Sequence, residues 1–449
     1  MKTHSEQTFL SGGKNPFLPL SIYIPDGEPK FFDGRVYLYG SKDYFGGEYC
    51  CHKYHVYSAP ADNLEEWTDH GPVLASTNEY LEEGIADGVD WSDGLLWAPD
   101  IVKVGDEYRL YCSNSSWGVR QSCIFLAVSD KAEGPFEPKG IVLKTTDDMP
   151  VNAIDANIIE DVKTGEQYMV YGSFWGGCHI LKLDKETGYA AEEGIGTCVA
   201  RRPMWTDRAI EGPYIIYNPD TEYYYLFVSY GSLNSDYNIR VGRSKSVTGP
   251  YLDFNGRDLT DLDDEMNEIG LMIAGGYHYQ DGQDYMAPGH NSVLRDDDGK
   301  WYVVCHIREH NMQKPQPATM HIYQMFWSEE GWPFLCPQRY AGESAQPIPR
   351  EMICGHYERI KLAHTIPQGV QNSVYMKLYE DGRAEICSLF GTWEMKDDQT
   401  IILRQGNTVE TLKFITVWDY QRRKPALAFT GMDQKGICVW GKRIDKIEI

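Results

Sequence analysis

The sequence has no run of 18 apolar residues, so it offers no segment that would span a membrane as a helix. It is also short of positive charge. Lys and Arg number 42 against 66 Asp and Glu, a net charge of −24. That excess repels nucleic acid and anionic membrane surfaces but leaves neutral sugars unaffected. Cysteine shows no framework: the 11 residues are odd in number and scattered, Cys50 and Cys51 are adjacent, and no CxxC pair occurs. Such usage reads as reduced thiols rather than disulfides or zinc ligands. The first 25 residues, Met1 to Pro25, contain no apolar run behind a basic start, the pattern of a secretory leader. These absences together lead to the expectation of a cytoplasmic protein with neither nucleic acid nor membrane as partner.

Helical periodicity is scarce as well. In its place stand short aromatic and β-branched runs separated by Gly, Asp, Asn and Pro, an all-β texture. Tyr alone contributes 31 residues. Tyr and Trp suit half-buried strands and also stack on sugar rings. One strand recurs five times: Arg35–Gly40, Glu107–Cys112, Gln167–Gly172, Tyr223–Val228 and Lys300–Cys305. Two following corners nearly match, Val128–Phe136 and Arg243–Tyr251. The copies fall roughly 55 to 80 residues apart, which suits a four-stranded blade with its loops. Five copies predict a five-bladed β-propeller over residues 1–345. Beyond it the texture changes to short alternating strands such as Ser373–Leu378 and Leu412–Val417. Residues 346–449 are therefore expected to form a separate small β-barrel or β-sandwich without catalytic residues.

Acids, most of them beside Gly or Pro, precede the repeat strands at similar distances. They are Asp26 with Glu28 in Tyr23–Pro29, Asp100 in Leu96–Asp100, Asp155 in Asn152–Asn157, and Glu211 in Ala209–Tyr214. A fifth such place, Ala287–Asn291, carries His290. Each acid alone reads as a turn residue. Equivalent places in successive blades converge on one axis, however, and carboxylic acids in different environments are what glycosidic hydrolysis needs.

At these residues the chain resembles glycoside hydrolase family 43, the five-bladed inverting enzymes of arabinan, arabinoxylan and xylan, and most closely its arabinan-degrading members. The likeness rests on Leu96–Ile101, Asn152–Asp155, Gly172–Gly176, Tyr224–Ser229, Tyr237–Pro250 and Pro288–Val293. It implies Glu211 as general acid, Asp155 as the group that raises its pKa and orients it, and Asp26 as general base. Glu28 stays open as the base, because the family's base is usually followed directly by Pro. Trp97, Asp100, Asn152 and Ser173 to Trp175 would line the sugar site. His290 would hold a central ion, often calcium, or its waters; no organic cofactor is implied. Gly212 stands where arabinanases tend to have Ala, which bears on the linkage cut.

The expected activity is hydrolysis of α-L-arabinofuranosyl linkages in arabinan or arabino-oligosaccharides, by an arabinanase or arabinofuranosidase. A cytoplasmic enzyme would trim short imported oligosaccharides. A β-D-xylosidase is the alternative on the same fold, and a non-catalytic sugar-binding propeller the alternative from another class. A lectin would keep the aromatics but has no use for three acids at these places.

Overall fold

The computed structural model describes residues 24–41, 54–74, 95–280, 282, 284–309, 318–364 and 369–444. Cys50, Cys51, Tyr23 and the stretch preceding it lie outside the described residues. Five antiparallel sheets follow one another along the chain, then a closed barrel. The first sheet runs Glu28–Phe32, Arg35–Gly40, His55–Pro60 and Thr68–Pro72. The second runs Leu95–Val104, Glu107–Ser115, Ser122–Ser129 and Glu137–Thr145. The third is Asn157–Glu160, Gln167–Tyr171, Cys178–Leu183 and Thr197–Ala200. The fourth is Ile210–Asn218, Tyr223–Tyr230, Asn238–Ser244 and Leu271–Ala274. The fifth is built on Tyr285–Arg295, Trp301–Glu309, Thr319–Trp327 and Pro333–Leu335. These are the five blades of a propeller, and each recurring strand of the sequence sits immediately outside the innermost strand of its blade.

Those recurring strands show little polar alternation because both of their faces are covered. In Tyr223–Tyr230 every residue after the first is buried. The apolar clusters lie between blades: Tyr39 and Val56 of the first pack with Leu110 and Phe125 of the second. Val170 and Ile180 of the third pack with Leu226 and Val228 of the fourth. A strand pressed between two sheets reads as a continuous apolar run.

The barrel is closed by eight strands, from Gly355–Lys361 and Val374–Leu378 through to Cys438–Ile444. Here one face of each strand is inward, and Thr408–Asp419 alternates buried and exposed residues over most of its length. The centre is filled. Tyr357, Phe414 and Phe429 meet with ring centroids 5.3 to 5.9 Å apart, and Trp393, Leu403 and Val439 are buried with them. Two residues of the barrel region, Gln371 and Asn372, leave it to pair in parallel with Tyr277 and His278 at the edge of the fifth blade. Among the described residues helix is limited to a turn at Arg350–Ile353, a 3-10 turn at Met204–Thr206 and the 3-10 residue Gly369.

Candidate active site

At five equivalent places, in or just before the inner strands, the backbone is left-handed: Asp26 (φ 58°), Ala98 (φ 37°), Asp155 (φ 61°), Gly212 (φ 57°) and His290 (φ 45°); Ala287 (φ 55°) is a further such residue in blade five. Four of the five are not glycine, so each carries local strain of about 1–3 kcal/mol that the surrounding structure must hold. In blades two, four and five the inner strand also slips register here, between Trp97 and Asp100, Glu211 and Tyr214, and Gly289 and Ser292. Bulges of this kind re-aim side chains. Here they gather one functional position per blade around the axis.

A second set of residues holds that gathering in place. The residue that follows each repeat copy is Ser41, Ser113, Ser173, Ser229 and, in blade five, His306. Each reaches the inner strand of the next blade. Ser41 accepts a hydrogen bond from the Ala98 amide at 3.0 Å and donates to Asp26 Oδ2 at 3.0 Å. Ser113 accepts from the Asp155 amide at 3.0 Å. Ser173 donates to Glu211 Oε2 at 3.0 Å, and Ser229 accepts from the His290 amide at 2.7 Å. His306 closes the circle, its Nδ1 3.5 Å from Asp26 Oδ1. Apart from Ser173, these residues were missed by the sequence reading. The signal was there, in the register of the repeat extended by one residue.

The circle surrounds a cavity of about 290 Å³. Asp26, Trp97, Asn152, Asp155, Ser173, Trp175, Glu211 and His290 all line it, with Trp117, Phe174, Leu233 and His306. Two aromatic walls face the space. Trp97 packs on Trp117 at 5.0 Å, and Trp175 carries the Arg120 guanidinium 5.6 Å over its ring. Asn152 Oδ1 is buried without a protein partner, an acceptor open to a sugar hydroxyl.

Asp100 does not belong to this lining, and the expectation that it binds sugar is corrected by the register. The residues two positions beyond the left-handed ones are Glu28, Asp100, Asn157, Tyr214 and Ser292. With side chains alternating at period two, these form a lower tier on the axis. Lys30 Nζ lies 2.6 Å from Glu28 and 3.0 Å from Asp100. Tyr214 donates to Glu28 at 2.8 Å, and Asp100 Oδ2 accepts from Asn157 Nδ2 at 3.2 Å and from the Ile158 amide. Ser292 donates to the Gly27 carbonyl at 2.9 Å. Asp100 is 1% exposed and braces blade three. Glu28 belongs to the same tier, outside the cavity lining, whereas Asp26 faces the cavity.

The upper tier separates its carboxyl groups by charge state. Burial works against the charge on Asp26, but His290 Nδ1 at 3.2 Å, with His306 and Ser41, outweighs it and holds Asp26 below the usual carboxylate range. Burial pushes Glu211 up, and the hydroxyls of Tyr237 and Ser173 offset only part of that. Burial also raises Asp155, reinforced by the charge of Glu211. The Gly212 amide fixes Asp155 by donating to Oδ2 at 3.1 Å. Asp155 and Glu211 act as a pair in which ionising one disfavours ionising the other. The same cavity thus favours ionisation of Asp26 and disfavours it at Glu211 and Asp155. Burial disfavours a charged His290, but the carboxylates around it more than compensate and its pKa is raised. Among the described residues no group of three or more His, Cys, Asp or Glu is placed to hold a metal by itself.

The profile of glycosyl hydrolases family 43 matches residues 14–333, and that of a C-terminal lipocalin-like domain matches residues 337–441. An extracellular endo-α-(1→5)-L-arabinanase from Thermotoga petrophila is 32% identical over 433 residues, 87% of this chain and 90% of its own. The extracellular endo-α-(1→5)-L-arabinanase 2 of Bacillus subtilis is 29% identical, covering 92% of this chain and 91% of its own. The crystal structure of the T. petrophila endo-1,5-α-L-arabinanase superposes with a TM-score of 0.81 at 28% identity, over 94% of this chain and 99% of that one. These relatives overturn the cytoplasmic expectation: both sequence relatives are extracellular, which points to secretion. The cysteines misled for a physical reason. Of the nine described, six are buried, and a buried thiol behaves as a small apolar group in either compartment.

Proposed function

The chain belongs to glycosyl hydrolases family 43, and from that premise we propose that it cleaves the α-(1→5)-L-arabinofuranosyl backbone of arabinan by inversion, in endo fashion. The carrying observation is the placement of three carboxyl groups on one aromatic-walled cavity, Asp26 beside His290 and Ser41, and Glu211 buried under the hydroxyls of Ser173 and Tyr237 with Asp155 lining the same space. Asp26, as general base, takes a proton from the water that attacks the anomeric carbon. Glu211, as general acid, gives its proton to the departing glycosidic oxygen. Asp155 keeps that proton in place by like-charge repulsion and by its bond to Gly212. Trp97, Trp117 and Trp175 offer faces for furanose rings, and Asn152 an acceptor for a hydroxyl.

Endo action is supported by the end-to-end match to two endo-arabinanases. A xylosidase reading has no comparable support. The activity test is product analysis on linear arabinan. A ladder of intermediate oligomers early in digestion is expected; arabinose as the sole early product contradicts endo cleavage, and no release at all contradicts the assignment.

A calcium ion beneath the carboxylates is part of the same proposal. Protein donors are few among the described residues, so the ion would be largely hydrated, with His290 binding only as the neutral imidazole. His290 lines an axial cavity of about 20 Å³ with Asn291, whose amide is buried and unpartnered, and that volume suits one ion or water. Calcium takes mostly oxygen ligands, so water would complete the set. When bound, it supplies positive charge that favours ionised carboxylates above it. Dialysis against a chelator is expected to lower activity or melting temperature, with recovery on adding calcium; no change in either removes calcium from the account.

A further inference from the structure

Glu211 is gripped at both carboxyl oxygens. Ser173, part of the cavity wall, donates to Oε2 at 3.0 Å. Tyr237, outside the cavity lining, donates to Oε1 at 2.7 Å. The Tyr237 side chain is fully buried, and its ring has little freedom. It stacks on His306 with centroids 5.6 Å apart and planes 16° apart. It also lies so close to Gly289 that a β-carbon there would stand 2.0 Å from Tyr237 Cδ1. His306 in turn stands beside Asp26. The ring is thus wedged among the blade-five residues that neighbour the base, while its hydroxyl fixes the acid of blade four.

We propose that Tyr237 is the positioning residue for the general acid: it holds Oε1 of Glu211 away from the substrate, so that Oε2 on the cavity side carries and delivers the proton. This rests on the assignment of Glu211 as the acid. In the step itself, the proton on Oε2 passes to the glycosidic oxygen as the bond between that oxygen and the anomeric carbon breaks. The bonding electron pair leaves with the oxygen. Water bonds to the anomeric carbon and gives its proton to Asp26. Glu211 is left as a carboxylate whose two oxygens accept from Tyr237 and Ser173, so the bond to Oε1 strengthens as charge develops. A rigid aromatic hydroxyl is suited to this task because it keeps the same place before and after the proton moves.

The test uses the full chain with Tyr237→Phe, which keeps the ring and its stacking and removes the hydroxyl. Two substrates are compared: arabinohexaose, whose leaving group needs a proton, and 2,4-dinitrophenyl α-(1→5)-L-arabinotrioside, whose leaving group does not. On arabinohexaose kcat is expected to fall about 10- to 100-fold with KM within about twofold, the loss of a hydrogen bond to a charging group. On the dinitrophenyl substrate the loss is expected to stay below about threefold. An equal loss on both substrates, or an effect on KM alone, overturns the proposal. Should Tyr237→Phe fail to fold by circular dichroism, Gly289→Ala displaces the same ring from the other element. The same split between substrates is then expected, and an equal loss overturns the proposal. Glu211→Gln is run alongside. If Glu211→Gln itself loses equally on both substrates, Glu211 is not the acid and both readings fail. If only Tyr237→Phe does so, the acid stands and Tyr237 is structural.

Discussion

Along the propeller axis the side chains are Asp26, Glu28, Lys30, Asp100, Asp155, Glu211 and His290; along the barrel axis they are Tyr357, Trp393, Phe414 and Phe429. Both regions are made of antiparallel strands, and they solve burial in opposite ways. In the propeller each strand's apolar faces are spent between neighbouring blades, so the axis is left for charge. In the barrel the sheet curls on itself, and its single inward face must fill the centre with apolar side chains. Chemistry is found where the fold has satisfied its core elsewhere. A charged group of the upper tier, on the cavity, is therefore expected to matter for rate and little for folding, and an aromatic on the barrel axis for folding and not for chemistry.

The largest expected effect on that contrast is at Glu211. Glu211→Gln should lose on the order of 10²–10⁴-fold in kcat, with a melting temperature unchanged or raised, since a buried ionisable group has been neutralised. A large drop in melting temperature would break the contrast from the propeller side. The barrel side is tested by Phe414→Ala. Phe414 is fully buried between Tyr357 and Phe429, and its truncation should cost about 3–5 kcal/mol in denaturant unfolding. A loss below about 1 kcal/mol would show the barrel centre to be loosely packed.

Asp155→Asn sharpens the comparison within the axis. Removing the like charge beside Glu211 lowers the acid's pKa, so the protonated form is lost at lower pH. The basic limb of the kcat/KM profile should move toward acid by about one unit, equivalent to about 1.4 kcal/mol. A limb that stays in place removes Asp155 as modulator.

The smallest effect belongs to the lower tier. Burial pushes Glu28 from 4.5 up to about 8, against the pull of Lys30. Its proton is held more tightly folded than unfolded. The stability it contributes is thus fully present below about 4.5 and lost as pH rises to about 8. Melting temperature against pH should fall less steeply across that window in Glu28→Gln than in the parent chain; an identical slope assigns the titration elsewhere.

Much of this was legible in the sequence because the repeat is physical. Strands covered on both faces repeat as aromatic runs, and Tyr223–Val228 or Lys300–Cys305 announce themselves. The acids were legible because they precede the repeat strands at similar distances, which brings equivalent places of successive blades to one axis. Asp100 was misplaced because the position equivalent to Asp26 and Asp155 is Ala98. The bulge after Trp97 sets the frame, and Asp100 falls two residues further on, into the bracing tier. Tyr237 carried no such signal. It stands at the start of the third strand of blade four, outside the repeat register, and reaches Glu211 only through the packing of its ring on His306 and Gly289 in the next blade.

The central claim is that Asp26 and Glu211 work as base and acid across one cavity, which requires single displacement. Proton NMR of the first minutes of arabino-oligosaccharide hydrolysis reads this directly, before the new reducing end equilibrates. The reducing end cut from an α-linkage is expected to be seen first as the β-anomer. An α-anomer formed first would mean double displacement through a covalent intermediate and would contradict the assignment of Asp26 as base.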